Sequence, residues 1–274
     1  MRNKLPRQVM SLLFIVCLAG ALFVSRKQPV AVGAQTDAKA LLSAAASTKE
    51  VMESLAEQFA KKSKDSIKVN PGSSNSLAAQ IIAGAPADLF LSANQEWADK
   101  VKEAKLSSQQ IKLLTNKLVL IVPKGNPAGV KEPKDLSKSS VKKIALAGEK
   151  VPAGKYADQA LTKLGLLDSL TKARKIARGQ DVRAALAYVE RGEVEAGIVY
   201  STDLLAAKSV EKVHEFDPAL HDEIVYVLML LKHGEDNAAA KGFFELLKSD
   251  EANETFKKFG FERLGGTPKD VEKK

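Results

Sequence analysis

Three hydroxyl groups in this chain stand where a hydroxyl can meet a ligand. Ser47 closes the run Ala44-Ala45-Ala46-Ser47, Ser74 lies in Gly72-Ser73-Ser74-Asn75, and Tyr200 ends Gly197-Ile198-Val199-Tyr200. Two more segments, Val151-Pro152-Ala153-Gly154 and Gln180-Asp181-Val182-Arg183, read as helix starts. A helix N-terminus carries unpaired N–H groups and the positive end of the helix dipole, so it holds an anion without a cationic side chain. Several such starts, with two serines and a tyrosine beside them, point to a dehydrated pocket for a small oxyanion. Each residue also has a plainer reading. Ser47 and Ser74 fit as N-caps, and a capping hydroxyl occupies the same place as a ligand hydroxyl, so both roles can coexist. Pro152 fits as a first-turn proline. Ala153 and Val182 can offer only their backbone, and Tyr200 fits equally as a buried core tyrosine.

Other chemistries find little support. His214, His221 and His233 are scattered and show neither metal-ligand nor triad spacing. No phosphate-binding glycine loop of the Walker type is present. Asp88 reads as structural, bonding loop N–H groups, and Trp97 as an exposed helix aromatic without a stacking partner. Ser47 or Ser74 could serve a secreted hydrolase as nucleophile, but neither motif contains a histidine base.

The first 34 residues have the layout of a secretory signal. Arg2, Lys4 and Arg7 precede an uncharged run from Val9 to Val24, and Ala31-Val32-Gly33-Ala34 offers small residues for cleavage. Arg26 and Lys27 interrupt that layout, so an uncleaved membrane anchor is the alternative. Cys17, the only cysteine, follows Val16, a poor neighbour for lipid attachment. Cleavage near Ala34 would leave no cysteine, hence no disulfide, thiol catalysis or thiolate metal site. No cofactor is expected. The formal charge of +9 also changes: residues 1–34 hold five basic residues and no acidic one, which leaves +4. That excess and an aromatic share of 5% do not suit a nucleic-acid surface. About 240 residues suffice for a core without disulfides.

The pattern of elements comes next. Ala40–Ala46 reads as a buried strand, and Ser47 with Glu50 has capping-box spacing before a helix bearing Val51, Met52, Leu55 and Phe59. Ile67–Val69 is a short strand, and residues 71–75 turn into a helix with Leu77, Ile81 and Ile82 inward. Strands follow at Ala87–Leu91, Lys117–Val122, Lys143–Ala147, Ala196–Tyr200 and Ile224–Leu231. Helices are expected at Glu96–Glu103, Gly154–Leu164, after Asp181, at Asn237–Lys248 and at Glu251–Phe259. Strands alternating with helices imply α/β layers with mostly parallel sheets, whose ligands sit beyond the carboxyl ends of the strands. The five candidate segments all fall on that face.

These motifs, with Gly84-Ala85-Pro86-Ala87-Asp88-Leu89-Phe90-Leu91-Ser92-Ala93 and Val151-Pro152-Ala153-Gly154-Lys155-Tyr156-Ala157, occur in one order. In that order the chain resembles the periplasmic molybdate-binding proteins of ABC importers, from about Leu41 to Phe261. The resemblance implies a two-lobed venus-flytrap fold with two crossovers. Lobe I would take residues 37–118 and 226–264, lobe II residues 119–225, after a signal peptide over 1–34 and before a polar, unstructured tail over 265–274. It also implies that molybdate or tungstate is held by the Ser47, Ser74 and Tyr200 hydroxyls and the backbone N–H groups of Ala153 and Val182. Molybdenum would enter only as the oxyanion. A monomer would deliver it to a membrane permease with a cytoplasmic ATPase; another oxyanion such as sulfate is the alternative ligand. The sequence departs from the pattern in three places. Asn75 follows Ser74, which leaves open whether Ser73 or Ser74 makes the contact. Glu149 replaces part of an Asp-Pro-type turn, and Thr48 stands where a larger apolar residue is usual.

Overall fold

The computed structural model describes residues 38–264; the expected signal peptide and polar tail lie outside the described residues. The strands are β1 Lys39–Ala45, β2 Ser66–Gly72, β3 Leu89–Ser92, β4 Ser107–Thr115, β5 Leu118–Pro123, β6 Ile144–Ala147, β7 Ile176–Gly179, β8 Ala196–Tyr200, β9 Val210–Glu215, β10 Val225–Leu231 and β11 Glu262–Arg263. The helices are α1 Lys49–Ser63, α2 Ser74–Ile82, α3 Gln95–Glu103, α4 Pro152–Lys163, α5 Leu167–Lys172, α6 Val182–Glu190, α7 Ala238–Leu247 and α8 Asp250–Lys258. Among the described residues, no helix is long and apolar enough to cross a membrane.

The strands form two sheets, ordered β11-β4-β10-β3-β1-β2 and β7-β6-β8-β5-β9. Both are mixed, where the alternation of strands and helices predicts mostly parallel pairing. β1 runs parallel to β2 and β3, and β6 parallel to β7 and β8. The antiparallel partners are β4, β10 and β11 in the first sheet and β5 and β9 in the second. The physical reason lies in the crossovers. The chain leaves the first sheet after β4 and enters the second as β5, then returns from β9 into β10. The strands that receive the chain, β5 and β10, run against those built from local β–α–β units, whereas β4 and β9, each antiparallel to its receiving strand, run with them. The apolar runs at 117–122 and 224–231 are thus β5 and β10, each lying wholly in one sheet.

Central strands are buried on both faces and read as unbroken apolar runs. All residues of β6 (Ile-Ala-Leu-Ala), β8 (Ala-Gly-Ile-Val-Tyr) and β10 (Val-Tyr-Val-Leu-Met-Leu-Leu) are buried. Helices cover them with one stripe each. α1 buries Val51, Met52, Leu55, Ala56 and Phe59, and the Phe59 ring meets Phe243 of α7 edge-on at 5.4 Å. Each such side chain contributes about 1.5–3 kcal/mol on full burial. α2 buries Leu77 and Ile81, but Ile82, expected inward, is exposed at the helix end. Asp88 is structural, but the N–H group it holds is in a strand and not a loop: its carboxylate accepts from Leu41 N of β1 at 2.7 Å and also faces His233 Nδ1 at 3.0 Å.

Register brings the strand ends together. Ala45 pairs with Gly72 and Ala44 with Leu91, so the chain leaves β1, β2 and β3 at one level. In the second sheet Ala147 pairs with Gly179, which sets the starts of α4 and α6 side by side.

Candidate functional site

A small cavity lies between the two sets of strand ends. Ser47, Ser74 and their neighbours line it from the first sheet; Ala153, Val182 and Tyr200 line it from the second. All five residues singled out from the sequence therefore share one cavity. A larger groove, lined by Asn116, Phe216, His221 and Ile224 among others, shares no residue with it.

The helix starts leave donors uncommitted. The N-cap positions of α1, α2 and α4 (Thr48, Ser73 and Val151) make no side-chain capping hydrogen bond. The capping box expected from Ser47 and Glu50 is absent. Ser47 sits instead in a short 3-10 turn over Ala46–Thr48, one residue too early to cap α1. Of the four helix starts at the cavity (α1, α2, α4 and α6), α6 alone is capped, by Asp181 Oδ1 accepting from Ala184 N at 2.9 Å. In α4, Pro152 has no N–H to lose and Lys155 N closes the first turn on Val151 O at 2.9 Å. The α4 start lies tight against β6: a Cβ at Gly154 would stand 2.2 Å from Gly148 O, so only glycine fits there.

The three hydroxyls are buried, and their hydrogen bonds decide what each can offer. Ser74 Oγ accepts from Ala93 N at 3.0 Å, which leaves its proton free to donate. Ser73 Oγ donates to Ser76 Oγ at 2.9 Å, so its proton is already used. Ser47 Oγ lies 2.9 Å from Tyr226 Oη. Tyr200 Oη is buried and has no hydrogen-bond partner among the described residues. Burial pushes the Tyr200 phenol well above its ordinary pKa, so it stays protonated and a donor. Among the described residues, neither Ser47 Oγ nor Ser74 Oγ bonds a histidine or a carboxylate.

Of the residues lining the cavity one is charged, Asp181, whose Oδ1 is held by Ala184 N. Glu149, which would oppose an anion if it turned inward, has a side chain 78% exposed and faces Arg178 at 3.8 Å. The contacts across the cleft were not visible in the sequence. Arg183 of α6 reaches Glu50 of α1 at 2.5 Å and donates to Ser47 O at 3.3 Å. Its Nε lies 3.1 Å from the buried Asp203 Oδ1, close enough to attract but out of hydrogen-bond alignment. Burial lifts the Asp203 carboxyl to about 6, against the pull of Arg183. Asp203 also accepts from Tyr200 N at 3.0 Å, which ties it to the phenol-bearing residue. Trp97, expected to be exposed and unpartnered, is half-buried: Nε1 donates to Lys150 O at 3.0 Å, and Lys100 Nζ stands 3.8 Å above the ring. Lys155 of α4 pairs with Glu96 of α3. The two halves are thus in contact on either side of the cavity.

Comparison with known proteins agrees with this architecture. Residues 40–262 match the family model described as bacterial extracellular solute-binding protein. The chain is 40% identical over 235 residues to the molybdate-binding protein ModA of Escherichia coli, covering 82% of this chain and 89% of that one. It is 39% identical over 244 residues to ModA of Haemophilus influenzae, covering 82% and 90%. Among solved structures, the periplasmic molybdate-binding protein of Azotobacter vinelandii superposes with a TM-score of 0.75 at 27% identity, covering 83% of this chain and all of that one. Two lobes built on mixed sheets match the fold of that structure, and the chain belongs to the bacterial extracellular solute-binding protein family.

Proposed function

We propose that this protein captures molybdate or tungstate outside the cytoplasm and delivers it to an ABC import permease driven by a cytoplasmic ATPase. The observation that carries the reading is the set of uncommitted donors in the cavity lining, where Asp181, the one charged residue, has its Oδ1 engaged by Ala184 N. Ser74 and Tyr200 have free hydroxyl protons, and the starts of α2 and α4 present uncapped N–H groups. The ligand contacts are Ser47, Ser74 and Tyr200 through their hydroxyls and Ala153 and Val182 through their N–H groups. Of the two neighbouring serines, the free proton favours Ser74 over Ser73.

Neutral donors suit a fully ionised tetrahedral dianion. They replace its hydration with aligned dipoles. Sulfate is smaller and cannot reach every donor at once, and each buried donor left unpaired costs about 1–3 kcal/mol. The moving bodies are residues 37–118 with 226–264, and residues 119–225. Each supplies part of the cage, so ligand favours the closed form through its differential affinity for the two states. The protein acts as a monomer, needs no cofactor and catalyses nothing. Export follows from a signal peptide over residues 1–34.

A melting experiment with equimolar oxyanions tests the reading. Molybdate and tungstate at about 100 times their dissociation constants should stabilise the protein by about 2.7 kcal/mol, with sulfate and phosphate far behind. Equal shifts from sulfate and molybdate would reject the cage-size argument.

A further inference from the structure

Ser47 raises a question of direction. Its Oγ and Tyr226 Oη are 2.9 Å apart, and either could donate. If Ser47 donated to Tyr226, its proton would be lost to the cavity. The surrounding bonds decide the matter. Asn116 lies in the two-residue link between β4 and β5. Its Oδ1 receives Lys117 N at 2.9 Å and Ser201 Oγ at 3.0 Å. A backbone N–H cannot accept, so the side-chain oxygen must face Lys117 and the amide nitrogen must face the other way. Asn116 Nδ2 then donates to Thr202 Oγ1 at 2.8 Å and to Tyr226 Oη at 3.2 Å. Tyr226 is fully buried, and Ser47 and Asn116 are its hydroxyl partners among the described residues. An amide nitrogen cannot accept its proton. The phenol must donate to Ser47 or leave a buried donor unpaired.

We propose that Asn116 and Tyr226 are positioning residues for the ligand site, forming a one-way hydrogen-bond relay from Asn116 through Tyr226 to Ser47 that commits the Ser47 proton to the cavity. The relay rests on the reading of the cavity as an oxyanion cage. It does for Ser47 what Ala93 N does for Ser74: each serine oxygen is already accepting, so each hydroxyl can only donate to the ligand. It also starts at a crossover, since Asn116 bonds Ser201 and Thr202 after β8 while Tyr226 belongs to β10. The donor geometry at Ser47 is therefore set by a residue that links the two halves.

Isothermal titration with molybdate on four proteins tests this: wild type, Tyr226→Phe, Ser47→Ala and the double variant, with ligand-free melts to check folding. Ser47→Ala should weaken binding about tenfold or more. Tyr226→Phe alone should weaken it about three- to tenfold, yet change the Ser47→Ala protein less than about twofold, because the relay acts only through Ser47. Asn116→Asp is the second variant, at a half-buried position. It places an oxygen that can accept where the amide nitrogen stood, so the Tyr226 proton turns away and the Ser47 proton is no longer committed to the cavity but free to go to the phenol oxygen. It should cost about tenfold or more in the wild-type background and clearly less in Ser47→Ala, whereas simple charge repulsion would cost the same in both. Tyr226→Phe with wild-type affinity, or either variant acting equally in both backgrounds, overturns the relay while the cage stands. Failure of wild type to bind molybdate, or no effect of Ser47→Ala, overturns the cage itself and the relay with it.

Discussion

Replacing Tyr200 with phenylalanine should move stability and affinity in opposite directions. The Tyr200 hydroxyl is buried at the end of β8 and has no partner among the described residues. An unpaired buried polar group costs about 1–3 kcal/mol. Tyr200→Phe removes that cost and opens only a hydroxyl-sized gap, so the ligand-free protein should unfold no more easily than wild type and gain up to about 1 kcal/mol. For a chain of this size that is a rise of about 2–4 °C in Tm. Binding should fall instead. A hydrogen bond to a charged group contributes about 1.5–3 kcal/mol, which is about 10- to 150-fold in Kd. Tyr226→Phe gives the contrast on the ligand-free protein: that phenol is bonded to both Ser47 and Asn116, so its loss should destabilise by about 1 kcal/mol. Denaturant unfolding without ligand and calorimetric titration with molybdate measure both quantities. A Tyr200→Phe protein that melts lower than wild type and binds molybdate within twofold of it would show the phenol to be an ordinary core group.

Other outcomes follow from the same geometry. Ser74→Ala should weaken molybdate binding about tenfold or more, and Ser73→Ala by much less, because the Ser73 proton is spent on Ser76; titration of the two variants reverses the assignment if Ser73→Ala is worse. Arg183→Met should cut the bridge to Glu50 and Ser47 O, favour the open form and raise the molybdate off-rate several-fold in stopped-flow displacement, with little change in the on-rate. Asp203 has a folded pKa raised to about 6, so the native state holds its proton more tightly than the unfolded chain. The stability it contributes is present below the ordinary carboxylate pKa and is lost as pH rises through about 6, a swing of about 2–3 kcal/mol between pH 4 and 7. Denaturation of wild type and Asp203→Asn over that range should show wild type losing ground as pH rises; a constant difference would place the carboxyl at an ordinary pKa. Between about pH 6.5 and 8.5 molybdate affinity should stay nearly flat, since the cage has no group that titrates there.

The sequence carried the site further than it carried the fold's edges. The five ligand candidates follow strands or end them, and strands such as β6 and β8 are buried on both faces, so their apolar runs stand out. β4, β7, β9 and α5 escaped notice for a common reason. β4 opens Ser-Ser-Gln-Gln and is half exposed, and it is held by its ladder to β10, more than a hundred residues later. β9 alternates Val-Glu-Lys-Val at an exposed edge, and β7 is four residues long. Ser47 shows the limit of local spacing. Ser-x-x-Glu predicts a cap, but the hydroxyl is taken by Tyr226 and the carboxylate by Arg183, partners 179 and 133 residues away. The same holds for Asn116 and Asp203, whose importance depends on contacts that only the folded chain creates. Trp97 reads as a lone surface aromatic until Lys150 arrives from the other half.

The most direct test is a crystal structure of the purified protein grown with molybdate, with molybdenum located by its anomalous scattering. The peak should fall in the small cavity between the strand ends, with oxygens within hydrogen-bond reach of the Ser47, Ser74 and Tyr200 hydroxyls and the Ala153 and Val182 N–H groups. No lysine or arginine side chain should touch the ion. A peak in the larger groove beside Asn116 and Phe216, or a cavity peak whose oxygens are held by charged side chains, would contradict the neutral cage.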